Sequence, residues 1–106
     1  MTPPEAARTV TFAGNRTYSL DAKGFLDPPD QWDDAFSEGM ARQESIHGGL
    51  TEAHWSFIHY LRGKFLNDKT VPLLVHACAD NKLRLGRLKS LFPTGYHRGA
   101  CRIAGI

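Results

Sequence analysis

Cysteine is scarce in this sequence, and long hydrophobic runs are missing. The 106 residues contain two cysteines, Cys78 and Cys101, which is too few for the disulfide framework of a small secreted domain. No stretch approaches the roughly 20 apolar residues of a membrane span, and the first eight residues lack the apolar core of a secretory signal. The sequence therefore predicts a cytoplasmic protein with reduced thiols and no membrane insertion.

Acidic residues are also missing from the last part of the chain. None follows Asp80, whereas residues 21–52 are rich in them. The cations after Asp80 are Lys82, Arg84, Arg87, Lys89, Arg98 and Arg102. This asymmetry indicates an acidic partner, either nucleic acid or an acidic protein face, although an ordinary solvated helix face is the commoner explanation.

The length and patterning predict a single mainly α domain, with a β-hairpin packed on a small orthogonal bundle of about four helices. Residues 1–7 are expected to be disordered. The β-branched and aromatic runs at 9–12 and 16–20 flank Gly14-Asn15, which is typical of a tight hairpin. Such a hairpin is only marginally stable alone, so we expect it to pack against the helices.

Capping residues and apolar spacing predict the helices that follow. Asp30 is the predicted N-cap of the first helix, and Thr51 that of a stronger second helix over 52–66. Thr70 is expected to cap a third helix, predicted to be buried because it is apolar nearly all round. A last helix over 83–92 is expected to bury its leucines and Phe92 and to expose its cations, forming a helix-turn-helix-like pair with the third.

The end of the chain carries the sharpest chemical feature. Pro93 ends the preceding helix, and three glycines that follow it predict a flexible arm over 93–106. Cys101 lies in this arm between Arg98 and Arg102, and nearby cations favour the thiolate, which is the reactive form. Composition alone also fits a frayed terminus with an incidental cysteine.

Several motifs together resemble the DsrC/TusE family of small sulfur-carrier proteins. They are Gly24-Phe25-Leu26, Trp32, Leu50-Thr51-Glu52-Ala53-His54-Trp55, Phe57-Ile58, Leu61-Arg62, Leu91-Phe92-Pro93 with Gly95, and Ala100-Cys101-Arg102-Ile103-Ala104-Gly105. The similarity extends from about residue 10 to the last residue.

The resemblance implies a non-enzymatic carrier with no cofactor, in which Cys101 is the sulfur-accepting thiol and Arg98 and Arg102 support it. It implies dissimilatory sulfite reductase, sulfurtransferase relay proteins or a tRNA-thiolating enzyme as partners. Cys101 matches the upstream of two arm cysteines in the family. The second follows ten residues later, beyond the end of this sequence at Ile106, so we expect no intramolecular cycle between two arm thiols.

Two further interpretations stay open at the level of sequence. A regulatory paralogue that has lost carrier chemistry could bind DNA, and its candidate nucleic-acid contacts are Lys82, Arg84, Arg87 and Lys89. In the second interpretation, the protein is a purely structural subunit. No metal site is expected, because His54 and His59 are five residues apart and do not share a helix face; His54 is expected to fix the start of its helix by hydrogen bonding.

Overall fold

The computed structural model describes residues 8–12, 16–46 and 48–106. The predicted disorder of residues 1–7 and the turn at Gly14-Asn15 lie outside the described residues. The two strands of the hairpin are β1, Arg8–Phe12, and β2, Arg16–Leu20. They pair antiparallel with Val10 opposite Tyr18, which confirms the predicted hairpin.

Four helices follow: α1, Asp34–Gln43; α2, Glu52–Asp68; α3, Leu74–Asp80; and α4, Leu85–Leu91. A π-helical turn over Tyr96–Cys101 leads into α5, Arg102–Ala104. The predicted mainly α architecture of a hairpin and about four helices is confirmed. Among the helices of the described residues, none combines the length and the apolar character that crossing a membrane requires.

Aromatic rings join the hairpin to the helices. Tyr18 packs edge-to-face on Phe36 of α1, with ring centroids 5.1 Å apart. Phe57 of α2 packs against Phe92, which follows α4, at 5.7 Å. All four side chains are buried, and each aromatic pair of this kind contributes roughly 0.5–1.5 kcal/mol beyond its area burial.

The start of α1 differs from the sequence prediction. Asp30 belongs to a short 3-10 turn, Pro29–Gln31, and the N-cap of α1 is Asp33, whose carboxylate accepts a hydrogen bond from the amide of Phe36 at 2.9 Å. The same carboxylate accepts a hydrogen bond from the hydroxyl of Tyr18. Asp33 therefore caps α1 and ties it to the hairpin, which a local capping rule could not distinguish from a cap at Asp30.

The start of α2 matches its prediction. Thr51 is the N-cap, and its backbone amide donates to Nδ1 of His54 at 3.0 Å. An amide can only donate, so Nδ1 is the accepting nitrogen and Nε2 carries the proton that is donated to the carbonyl oxygen of Leu91 at 2.7 Å. His54 thus fixes the helix start, as predicted, and also binds the last turn of α4.

The predicted burial of the third helix is wrong. It begins at Leu74 rather than after Thr70, and Leu73 and Val75 are about two-thirds exposed. Only Ala77 of α3 is fully buried. Leu85 of α4 is likewise exposed, against the prediction, whereas Leu88, Leu91 and Phe92 are buried as expected. These short helices pack against the rest of the protein through one narrow face. Apolar residues on their other faces therefore stay exposed.

Candidate functional site

The C-terminal segment, residues 93–106, folds back onto the body of the protein. Gly95 has a φ of +100° and Gly105 a φ of +72°, conformations that glycine adopts without steric cost. Between these two glycines the backbone forms hydrogen bonds from residue i to residue i−5. One example is the bond that the amide of Ala100 donates to the carbonyl oxygen of Gly95 at 3.0 Å. Ala100, Ile103 and Ala104 are fully buried. The predicted free arm is therefore a packed element in this structure.

Cys101 lies inside this packed element. Its exposed fraction is 1%, so the expectation of an exposed thiol is wrong for this conformation. Burial raises the pKa of the Cys101 thiol to about 12, and the neighbouring Tyr96 hydroxyl offsets this only in part. Burial penalises the charged form of a thiol, and within the described residues no arginine contributes to the shift of this pKa. The folded segment holds Cys101 as a neutral, inert thiol.

Arg102 points away from the sulfur and fastens the segment to the body. Its Nη1 donates to Oε1 of Glu44 at 2.8 Å, and its Nη2 donates to the carbonyl oxygen of Lys23 at 2.7 Å. The guanidinium carbon is 4.9 Å from the ring centroid of Phe25. The contacts of Arg102 therefore anchor the segment, and they do not support its predicted role in favouring the Cys101 thiolate. Arg98 is exposed.

Three further polar contacts hold the segment down. The hydroxyl of Ser37 donates to the carbonyl of Ile103 at 2.7 Å, and Nη1 of Arg62 donates to the carbonyl of Ala104 at 2.9 Å. The hydroxyl of Tyr96 donates to the carbonyl of Pro72 at 2.5 Å. Sequence reasoning missed Ser37 and Tyr96 as anchors, because their partners are backbone carbonyls distant in sequence. The available signal was the spacing of Ala100, Ile103 and Ala104, which predicts a packed helical face.

The remaining candidate residues lie apart from Cys101. Lys82, Arg84, Arg87 and Lys89 are all exposed, on the connection between α3 and α4 and on α4 itself. Cys78 is half-buried against the core. Within the described ranges, no group of three or more metal-ligating side chains lies close enough together to hold a metal ion.

The raised pKa of Cys101 predicts an unusual pH dependence of its alkylation. A free cysteine has a pKa of about 8.5, so at pH 7.5 a thiol with a pKa near 12 presents roughly three thousandfold less thiolate. We expect iodoacetamide to modify native Cys101 far more slowly than urea-unfolded Cys101. The native rate should keep rising beyond pH 9, where an unfolded thiol approaches its plateau.

The raised pKa of Cys101 also lowers the stability of the folded protein at high pH. The folded pKa lies above the unfolded one, so the folded form is favoured fully below about pH 8.5 and less as the pH rises toward 12. Peptide mass spectrometry resolves Cys101 from Cys78, and urea melts at several pH values measure the stability. Equal alkylation of native and unfolded Cys101, or a stability independent of pH above 8.5 relative to Cys101→Ser, would contradict the buried thiol.

Comparison with known proteins gives a consistent result. The family model described as "DsrC like protein" matches residues 12–106. The chain is 38% identical over 95 residues to the sulfurtransferase TusE of Sodalis glossinidius, covering 83% of this chain and 86% of that protein. It is 27% identical over 97 residues to the dissimilatory-type sulfite reductase subunit gamma of Nitratidesulfovibrio vulgaris, covering 92% of this chain and 90% of that protein.

A solved structure shows the same fold. The oxidized gamma subunit of the dissimilatory sulfite reductase (DsrC) from Archaeoglobus fulgidus superimposes with a TM-score of 0.81 at 30% identity, over 93% of this chain and 94% of that one. The chain belongs to the DsrC-like family. The matched region includes the C-terminal segment and Cys101.

Proposed function

We propose that this protein traffics sulfur as a carrier in a relay, with Cys101 as the thiol that accepts the sulfur atom. The observation that carries the proposal is the family match over residues 12–106, which includes Cys101. The relatives named above are a sulfurtransferase and a sulfite reductase subunit. No relative or solved structure given above supports the DNA-binding interpretation, so it is not proposed further.

The chemistry of acceptance is a transfer between two sulfur atoms. The Cys101 thiolate attacks the outer sulfur of a partner's cysteine persulfide, the sulfur–sulfur bond of the donor breaks, and the donor leaves as a thiolate. The product is a persulfide on Cys101, with no net oxidation or reduction. A single attacking thiol is sufficient for this step, and the partners proposed are the sulfurtransferases of a relay or dissimilatory sulfite reductase. A carrier of this kind needs a reducing compartment, so the cytoplasm is part of the proposal.

Burial of Cys101 requires the C-terminal segment to open before transfer. The segment contains Gly95 and Gly105, whose positive φ angles mark the points where the backbone direction changes. Its polar anchors are a small set: the hydroxyls of Ser37 and Tyr96 and the guanidinium groups of Arg62 and Arg102. A partner that competes for these anchors would release Cys101, and the pKa of the thiol would then fall toward its ordinary value. Closure therefore protects the thiol until a partner binds.

Mass spectrometry of the protein after incubation with glutathione persulfide tests the proposal. We expect the peptide containing Cys101 to gain one sulfur atom, and the adduct to disappear on treatment with a reductant. Cys101→Ser should abolish the adduct, whereas Cys78→Ser, which removes the half-buried thiol, should leave it unchanged. Because closure protects Cys101, the reaction is also run on Gly105→Ala, in which a Cβ would crowd Trp32 and Leu26 and open the segment. Failure of Cys101 to gain sulfur in this folded variant, under conditions that label the urea-unfolded chain, would refute the proposal.

A further inference from the structure

A cationic pocket lies between the turn after β2 and the C-terminal segment. It has a volume of about 500 Å³ and is lined by Lys23, Phe25, His97, Arg98 and Arg102. The first two residues belong to the turn and the other three to the segment, so the pocket spans two parts of the chain that are distant in sequence. The described residues that line it include no carboxylate.

The carboxylates of Asp21 and Glu44, near the pocket, leave the charges of Lys23 and Arg98 without a partner in the described part of the chain. Oδ1 of Asp21 accepts from the backbone amides of Lys23 and Phe25, at 2.9 Å each. Glu44 pairs with Nη1 of Arg102. The charges of Lys23 and Arg98 are thus not offset by an ion pair among the described residues. Lys23 and Arg98 therefore give the pocket an excess of positive charge.

We propose that this pocket binds a small, doubly charged oxyanion of sulfur or phosphorus, such as sulfate, sulfite, thiosulfate or phosphate. Lysine and arginine donors hydrogen-bond strongly to such oxygens, and the volume leaves room for hydration water that completes the contacts. The proposal goes beyond the function in sulfur relay and does not depend on it, because binding requires no transfer to Cys101.

Occupancy of the pocket would stabilise the closed segment. An anion held at once by Lys23 on the turn and by Arg98 on the segment joins the two, and these groups separate when the segment opens. A ligand that binds only the closed form favours it by mass action, by a factor of about 1 + [L]/Kd. Oxyanion binding would therefore reduce access to Cys101, so that the ligand regulates the thiol.

Isothermal titration calorimetry with sodium sulfate tests the binding. We expect binding to the wild-type protein and at least about tenfold weaker binding to the Lys23→Ala/Arg98→Ala double variant, since the loss of even one hydrogen bond to a charged group weakens binding by about that factor. Arg87→Ala is the matched control, because it removes an exposed cation on α4 that is not part of the pocket, and it should bind as the wild type does. Equal binding by the double variant and the wild type, or absence of binding, would overturn the proposal.

Alkylation of Cys101 tests the coupling to closure. Sulfate at ten times its Kd should slow the reaction about elevenfold, whereas sodium chloride at the same ionic strength, which supplies only screening, should not. Phosphate should act as sulfate does. Protection by succinate but not by sulfate or phosphate would show that the pocket is built for a carboxylate and would overturn the assignment to an oxyanion. Protection that persists in the double variant would also overturn it.

Discussion

Phe92→Ala should lower the free energy of unfolding by about 3–5 kcal/mol, the cost typical of removing a buried phenylalanine. Phe92 has an exposed fraction of 0%. Its ring centroid is 5.2 Å from that of His54 and 5.7 Å from that of Phe57. Truncation therefore leaves a cavity where α2, α4 and the C-terminal segment meet. Because domains of this size are stable by only about 5–15 kcal/mol, much of the stability would be lost.

Urea denaturation monitored by circular dichroism measures this effect. Leu85→Ala is the surface control, since Leu85 is 57% exposed, and it should change the stability by less than about 0.5 kcal/mol. Phe92→Leu keeps most of the volume and should cost less than the alanine variant. A loss below about 1 kcal/mol for Phe92→Ala would show that the cavity collapses or that the ring is not buried as described.

Gly105→Ala should open the C-terminal segment and expose Cys101. A Cβ at this position would lie 2.8 Å from Cδ1 of Trp32 and 2.9 Å from Cδ2 of Leu26, distances that force the neighbours to move. The φ of +72° adds strain of about 1–2 kcal/mol for a residue with a Cβ, and overpacking adds about 1–3 kcal/mol. Both costs vanish when the segment detaches, so we expect Cys101 alkylation at least about thirtyfold faster than in the wild type.

Gly63→Ala is the matched control, because a Cβ there meets no atom within 4 Å in the described structure and alanine favours the helix. It should leave the alkylation rate of Cys101 unchanged. Circular dichroism distinguishes opening of the segment from global unfolding, since opening retains the signal of α1 and α2. An unchanged alkylation rate in Gly105→Ala would contradict the packing described for the segment.

Local sequence rules correctly predicted the elements that are held by contacts between residues close together in sequence. Thr51 and His54 define the start of α2 through contacts within four residues, and the hairpin follows from alternation on either side of its turn. The N-cap of α1 was misplaced because Asp30 and Asp33 both satisfy a capping rule, and the contact of Asp33 with Tyr18 decides between them. That contact joins residues fifteen apart.

The state of Cys101 could not be read from residue types alone. Pro93 and the glycines after it indicate a flexible arm, yet the same segment buries Ile103 and Ala104 and is held by Ser37 and Arg62. Those anchors lie 66 and 42 residues away in sequence, and they satisfy backbone carbonyls that carry no side-chain signature. The cysteine was found as a candidate from its motif, but its burial depends on tertiary packing.

The side chain of Trp32 gives the molecule an internal optical probe of this closure. Its indole nitrogen donates to the hydroxyl of Ser37, which in turn holds the carbonyl of Ile103, and the guanidinium of Arg62 stacks over its ring at 4.5 Å. Departure of the terminal helix would alter the polarity around the indole at once. Since Trp55 is the other tryptophan of the sequence, its replacement by phenylalanine would leave a single emitter whose wavelength follows, in real time and without any label, whether the sulfur is hidden or offered to a partner.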